Sequence, residues 1–302
     1  MTPISEKILE KYQVRKTKKQ KTAFIEFMRA HFPNIRIQTD GLSYNRNIVI
    51  GNPDTAKVVF GAHYDTQAVM PIPNFIMPKS LTVSILYAFV LIIPMFILAG
   101  AVGKAADLIF NDPGMVSFFT LLTYWALLFL MIFGPANKHT VNDNTSGVIT
   151  LIELMSAMTE EERAQSCFVF FDNEEKGLFG SSFFQKKHKE TMKEKLLINF
   201  DCVSDGDYLM MIVGKNSFAE YSEKLKTAFA DVTDKTVLIE SSKGTHYPSD
   251  QKNFKNSIAA AAFKKSKFGL YLDKIHTPKD TVMDERNISV LKTGMIKFFN
   301  ML

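Results

Sequence analysis

Hydrophobic positions along this chain follow two kinds of pattern. In most of it, short apolar runs alternate with segments of helical period. Val58–Ala62, Cys167–Asp172 and Leu196–Asp201 are near-continuous apolar runs that meet polar residues at their ends, as buried strands do. Asn47–Gly51, Tyr208–Val213, Thr236–Glu240 and Ala259–Phe263 read as further strands. Residues 5–31 predict a helix with Ile8, Leu9, Tyr12, Phe24, Phe27 and Met28 on its apolar face. Gly147–Met158, Gly177–Lys189, Ser217–Ala230 and Ile288–Leu302 predict four more helices. Strands alternating with helices imply an α/β fold. Its sheet is expected to be mixed, mostly parallel, and covered by helices on both faces.

The second pattern is confined to the middle of the chain. Ser80–Gly103 and Pro113–Asn137 carry no charged residue, and a linker holding Lys104, Asp107 and Asp112 separates them. As a helix rising about 1.5 Å per residue, each run is long enough to cross about 30 Å of hydrocarbon. Neither has the polar stripe of a helix flanking a water-soluble core. They predict an α-helical transmembrane hairpin, with Pro94 expected to kink its first span. A buried hydrophobic cap or dimerisation lid is the competing reading. The domain expectation follows: residues 1–74 and 138–302 form one discontinuous domain, and 75–137 are an inserted hairpin.

Composition changes the picture only at that point. The 302 residues are 46% hydrophobic and 22% charged, with a mean hydropathy of 0.00 that averages two unlike parts. Two cysteines, Cys167 and Cys202, exclude a disulfide scaffold. A net charge of +5 is too small and too evenly spread to argue for nucleic acid. The basic residues Lys7 to Lys21 precede no apolar run, so no secretory leader is expected at the start. They read as a solvated helix face, or as a contact with an anionic membrane surface.

Candidate chemistry gathers where strands end, the place where open α/β sheets bind ligands. Val58–Ala62 runs into His63-Tyr64-Asp65, Cys167–Phe171 into Asp172-Asn173-Glu174-Glu175, and Leu196–Phe200 into Asp201. Asn142-Asp143-Asn144 and His276-Thr277-Pro278-Lys279-Asp280 lie in loops. Each group alone is ordinary. Together, two histidines and several carboxylates would make a negative focus that is costly to bury unless a cation neutralises it. Imidazole and carboxylate ligands suit zinc, with cobalt or manganese as competitors.

In order and wording these motifs resemble the M28 family of di-zinc metallopeptidases, which includes bacterial aminopeptidases and glutamate carboxypeptidases. The matching stretches are Val58–Thr66, Asn142–Gly147, Phe170–Ser181, Asn199–Asp201, Ser249-Asp250 and Ile275–Thr281. The hydrophobic insertion between the first two is the departure. The resemblance implies that Asp143 bridges two divalent metal ions, zinc foremost. His63 and Asp201 would complete one site, and Glu175 and His276 the other. Glu174 would be the catalytic general base acting on a water between the metals. Asp65 and Asp280 would accept from His63 and His276 and fix their tautomers. His246 and Tyr247 fall where relatives line the substrate pocket, so either could donate to the tetrahedral oxyanion.

Two spans return the chain to the side it left, so both halves of the catalytic domain can fold together. Lys79, Lys138 and the basic amino-terminal helix flank the hairpin, which favours a cytoplasmic catalytic domain. The expected activity is a membrane-anchored exopeptidase, an aminopeptidase in the first instance, acting on peptides delivered at or from the bilayer. Lateral association through the hairpin is open. Two other readings compete: a glutaminyl-cyclase-like acyltransferase with one zinc, and an inactive peptidase fold that presents the hairpin to a partner. The presence of Glu174 opposes the last.

Overall fold

The structure is a computed structural model describing residues 1–41, 44–72 and 74–302. Two amino-terminal helices, α1 (Pro3–Lys11) and α2 (Lys18–His31), precede three strands: β1 (Arg36–Thr39), β2 (Arg46–Ile50) and β3 (Val58–His63). Next come the long helices α3 (Leu81–Phe110) and α4 (Pro113–Phe133). They are followed by α5 (Gly147–Ala157), α6 (Glu160–Ala164), β4 (Ser166–Phe171), α7 (Phe179–Lys187), β5 (Leu196–Phe200) and β6 (Tyr208–Val213). The chain closes with α8 (Phe218–Ala228), β7 (Thr236–Ser241), β8 (Ser257–Ser266), β9 (Gly269–Tyr271) and α9 (Glu285–Asn300).

The strands form one mixed sheet in the order β1-β2-β4-β3-β5-β8-β6-β7, with β9 paired to β8. Its centre is parallel: β3 pairs with β4 and β5, and β5 with β8. Antiparallel pairings flank that centre, β1 on β2 and β2 on β4 at one side, β6 on β8 at the other. All six residues of β3 are buried, the burial expected of a strand covered on both faces. Alternate residues feed opposite cores. Phe60 joins Phe24, Leu151 and Leu291 beneath α2, α5 and α9, while Val59 joins Phe171 and Phe184 beneath α7.

The amino-terminal helix of the sequence reading is two helices. Thr17 caps α2 by accepting from Gln20 N, and Gln20 reciprocates on the Thr17 backbone. The break sends Arg15 into the core, fully buried, where its Nη1 donates to Thr145 Oγ1 at 3.1 Å and its Nε to the Tyr64 carbonyl.

The expected charged linker between the apolar runs is also shorter than it reads. Helix α3 continues through Lys104 and Asp107, which pair at 3.4 Å one turn apart, and leaves only Asn111 and Asp112 between the helices. Pro94 lies inside α3. The two helices pack together, with Phe96 stacked on Tyr124 at 4.6 Å between centroids. A Cβ on Gly103 would lie 2.0 Å from Thr120 Oγ1, so this close approach requires glycine. Both helices are long and apolar enough to cross a membrane, and the most apolar window of each is 6% and 0% buried. Where the insertion leaves and returns, Ala68 bridges Ala136, Val69 N donates to the Pro135 carbonyl, and Asn137 N donates to the Gln67 carbonyl.

Candidate metal centre

The carboxyl ends of β3, β4 and β5 and two loops meet in one cavity of about 300 Å³. Its lining includes His63, Asp143, Glu174, Glu175, Asp201 and His276. The irregular turn Val141–Ser146 enters α5 and carries Asp143 and Asn144 outside helical dihedrals, joined by a cis peptide bond. Asn144 anchors that turn, donating to the Phe200 carbonyl at 3.0 Å and accepting from Gly147 N at 3.0 Å.

Asp143 sits between the two histidines. Its Oδ1 is 3.3 Å from His63 Nε2, and its Oδ2 is 3.0 Å from His276 Nε2. Asp201 Oδ1 lies 3.4 Å from His63 Nε2 on one side, and Glu175 Oε2 lies 3.2 Å from His276 Nε2 on the other. Candidate ligand atoms of His63, Asp143 and Glu175 fall within 4.8 Å of one another, as do those of His63, Glu174 and Asp201. Glu175 Oε1 and Asp201 Oδ1 are buried without a hydrogen-bond donor. Orphaned carboxylate oxygens facing imidazole nitrogens are what a divalent cation satisfies, so the donor set fits zinc-like ions.

Electrostatics express the same crowding. Burial and the charges of Glu175, Asp250 and Asp201 hold the Glu174 carboxyl well above the usual carboxylate range, against the pull of His63. Burial alone would lower His63, but Glu174 and the nearby carboxylates of Asp143 and Asp201 raise it well above an ordinary histidine. Burial would raise Asp143, yet its bonds to His276 and His63 hold it below the usual range.

The supporting acceptors differ in detail from the sequence reading. The Asp65 carboxylate lies 3.6 Å from His63 Nδ1, as expected, but also accepts from Glu174 N at 2.9 Å and Glu175 N at 3.3 Å, and His63 Nδ1 faces the Asp65 backbone carbonyl more closely, at 3.1 Å. Asp280 does not hold His276. Its two oxygens accept from Asn142 N at 2.7 Å and Asp143 N at 3.0 Å. Tyr247 lines the cavity, but its hydroxyl donates to the Asp201 carbonyl at 3.0 Å. His246 is not brought to the cluster and lines a neighbouring cavity with Lys215 and Lys252. The buried Cys202 borders the site beside Asp201.

Sequence reasoning missed Arg15, which ties the segment after His63 to the turn after Asp143. The Thr17…Gln20 capping box was the signal that α2 starts late. It also missed Gln67, whose Nε2 donates to the Glu175 carbonyl at 3.3 Å.

A sheet with a parallel centre that delivers histidines and carboxylates to one buried focus defines a metallohydrolase-like class of site. The model of Peptidase family M28 matches residues 130–298, more than half of the chain. The chain belongs to this peptidase family. Among solved structures it is similar to LapA of Legionella pneumophila (12% identity, TM-score 0.53, covering 98% of this chain and 71% of that one). A second structure, titled LapA aminopeptidase of the same organism, gives 14% identity and a TM-score of 0.52 over 98% and 69%. PhTET1-12s, described as a dodecamer, gives 13% and 0.51 over 98% of both chains. At these identities the likeness is one of fold. No curated protein sequence matches.

Proposed function

We propose that this M28 peptidase is a membrane-anchored, metal-dependent exopeptidase, acting as an aminopeptidase. The observation that carries the reading is the split of Asp143, one carboxylate oxygen toward His63 and the other toward His276. Asp143 would be shared by two divalent ions, zinc foremost, with His63 and Asp201 holding one and Glu175 and His276 the other. Such a pair acidifies a water and polarises a peptide carbonyl.

The chain's own residues do the rest. Asp65 fixes the backbone of both Glu174 and Glu175, so the adjacent side chains take separate tasks. Glu175 faces His276, and Glu174 faces His63 and Asp201 across the cavity. The Glu174 carboxylate takes the proton of the attacking water and returns it to the leaving amine nitrogen. Asp280 holds the Asp143 backbone in place. Tyr247 holds the Asp201 carbonyl, and so supports a ligand strand instead of reaching the oxyanion.

The catalytic domain is residues 1–74 and 138–302, interrupted by the insertion 75–137. Helices α3 and α4 sit in the bilayer, supported by their length, their apolar character and their lack of burial. Lys16, Lys79 and Lys138 flank them and favour a cytoplasmic catalytic side. Substrates are peptides presented close to the membrane, and copies associate, if at all, through exposed hairpin faces. The test is Glu174→Gln in the detergent-solubilised protein. It should keep two metals per chain and lose about 10²–10⁴-fold in hydrolysis of peptides with a free amino end. Wild-type-like turnover by the variant would refute the base, and equal cleavage of amino-blocked peptides would refute the aminopeptidase direction.

A further inference from the structure

A second cavity, of about 310 Å³, lies behind the Glu174-Glu175 loop between the start of α2, the end of β1 and the start of β2. Lys16, Lys18, Lys21, Arg46 and Lys176 line it, against the carboxylates Asp40 and Asp172. Lys21 is already committed to Asp172 and Asn173. Arg46 is fixed in place, its Nη1 on Thr22 Oγ1 at 2.7 Å and its Nη2 on the Lys18 carbonyl at 3.1 Å. Among the described residues, no carboxylate pairs with Lys16, Lys18, Lys176 or Arg46. Five cations around one concavity outnumber its two carboxylates, and an anion relieves the repulsion that remains.

The position of the cavity selects the anion. The Lys16 ammonium donates to the carbonyl of Ile132 in the last turn of α4. The cavity therefore opens at the level where the hairpin returns from hydrocarbon to water, which is the headgroup layer. Tyr44, 79% exposed, stands at its lining, and tyrosine favours that layer.

We propose that this cavity binds the phosphate of an anionic glycerophospholipid. The proposal rests on the reading of α3 and α4 as membrane spans. Lys176 directly follows Glu175, so a phosphate held there would also steady the loop that carries Glu174 and Glu175. Anionic membranes should accordingly raise turnover as well as bind.

The full chain is reconstituted into nanodiscs of phosphatidylcholine, alone or with phosphatidylglycerol. Lipid retention is read by native mass spectrometry and turnover on a soluble peptide. Wild type should retain one phosphatidylglycerol and turn over faster in the anionic discs. Lys16→Gln/Lys18→Gln, and Lys18→Glu alone on the exposed start of α2, should each weaken retention about tenfold, the loss of a charge-assisted contact. Lys19→Gln, one residue away and outside the cavity, should not. Equal retention in all variants overturns the site. Displacement of the lipid by an equal concentration of inorganic phosphate overturns the lipid as the source. Trp125, the single tryptophan, lies in α4 and reports the underlying reading. If brominated acyl chains do not quench it, the membrane reading fails and the lipid with it. If they do and retention is still insensitive to Lys16 and Lys18, the cavity assignment alone fails.

Discussion

The Lys21→Met substitution removes the ammonium that reaches Asp172 and Asn173, just before Glu174 and Glu175. Lys21 is 4% exposed and Asp172 1% exposed, so the variant leaves a buried carboxylate without its cation. Breaking one side of a buried pair costs about 3–5 kcal/mol. Here Asp172 keeps two backbone donors, Arg46 N and Asn173 N, both at 2.9 Å. Methionine also refills most of the lysine stem, so little cavity is added. The expected loss is therefore at the lower end, about 3 kcal/mol at neutral pH, or roughly 6–12 °C in Tm for a domain of this size.

The sign of its pH dependence is set by Asp172. Burial pushes that carboxyl above its ordinary value even with Lys21 present, and removing Lys21 pushes it further. A carboxyl with a raised folded pKa binds more protons folded than unfolded. Stability then falls as pH rises through the unfolded value toward the folded one. The difference in Tm between variant and wild type should thus be smaller near about pH 5 than near about pH 8. Thermal unfolding of the solubilised chain at both values measures it. An equal difference at the two pH values would refute the isolated-charge argument.

Other outcomes follow from the same geometry. Asp65→Asn removes one of the two acceptors that hold Glu174 N and Glu175 N, and should weaken metal binding about 10–100-fold in a chelator competition while Tm of the metal-free chain changes little. Gly294→Ala would place a Cβ 2.1 Å from the Phe229 ring, so it should cost about 1–3 kcal/mol in denaturant unfolding and leave turnover per folded molecule intact. Burial pushes the Cys167 thiol up to about 12. Its alkylation near about pH 8 should therefore track opening of the structure, and rapid labelling of the native chain would contradict its place in the core.

How much of this was legible in the sequence varies with what each residue touches. His63, Asp201 and the Glu174-Glu175 pair stand just past buried apolar strands, and the strand ends bring them together. Asp280 was legible as a supporting acceptor but not in its partner. It binds the backbone N–H groups of Asn142 and Asp143, and every residue except proline offers one, so no side-chain pattern reveals the pairing. Lys104 and Asp107 looked like a linker because charges interrupt an apolar run. One turn apart on a helix, they can pair without ending it. The reach of Arg15 and Lys21 into the core was hidden by their basic neighbours: Lys11, Lys18 and Lys19 are exposed, while Lys21 is buried against Asp172 and leaves the expected solvated face. Strand β1, of only four residues with mixed burial, has no periodicity to detect.

The route of the chain into the hairpin bears on how a water-soluble form could be made. Residues 74–80 run along the α/β part of the chain before α3 begins. Asn74 and Ile76 line the cavity of His63, Asp143 and His276, Ile76 bridges Leu272, His246 N donates to the Pro78 carbonyl, and Lys79 pairs with Glu240 at 2.5 Å. A deletion drawn from hydropathy alone, removing 75–137, would strip Ile76 from the cavity wall along with the greasy helices. Trimming between Ser80 and Gly134 instead keeps the wall and the Ala68–Ala136 clasp, and removes the two apolar helices. In this molecule the seam between the apolar helices and the cavity wall lies several residues inside the span of the insertion, and an engineer who cuts elsewhere opens the wall.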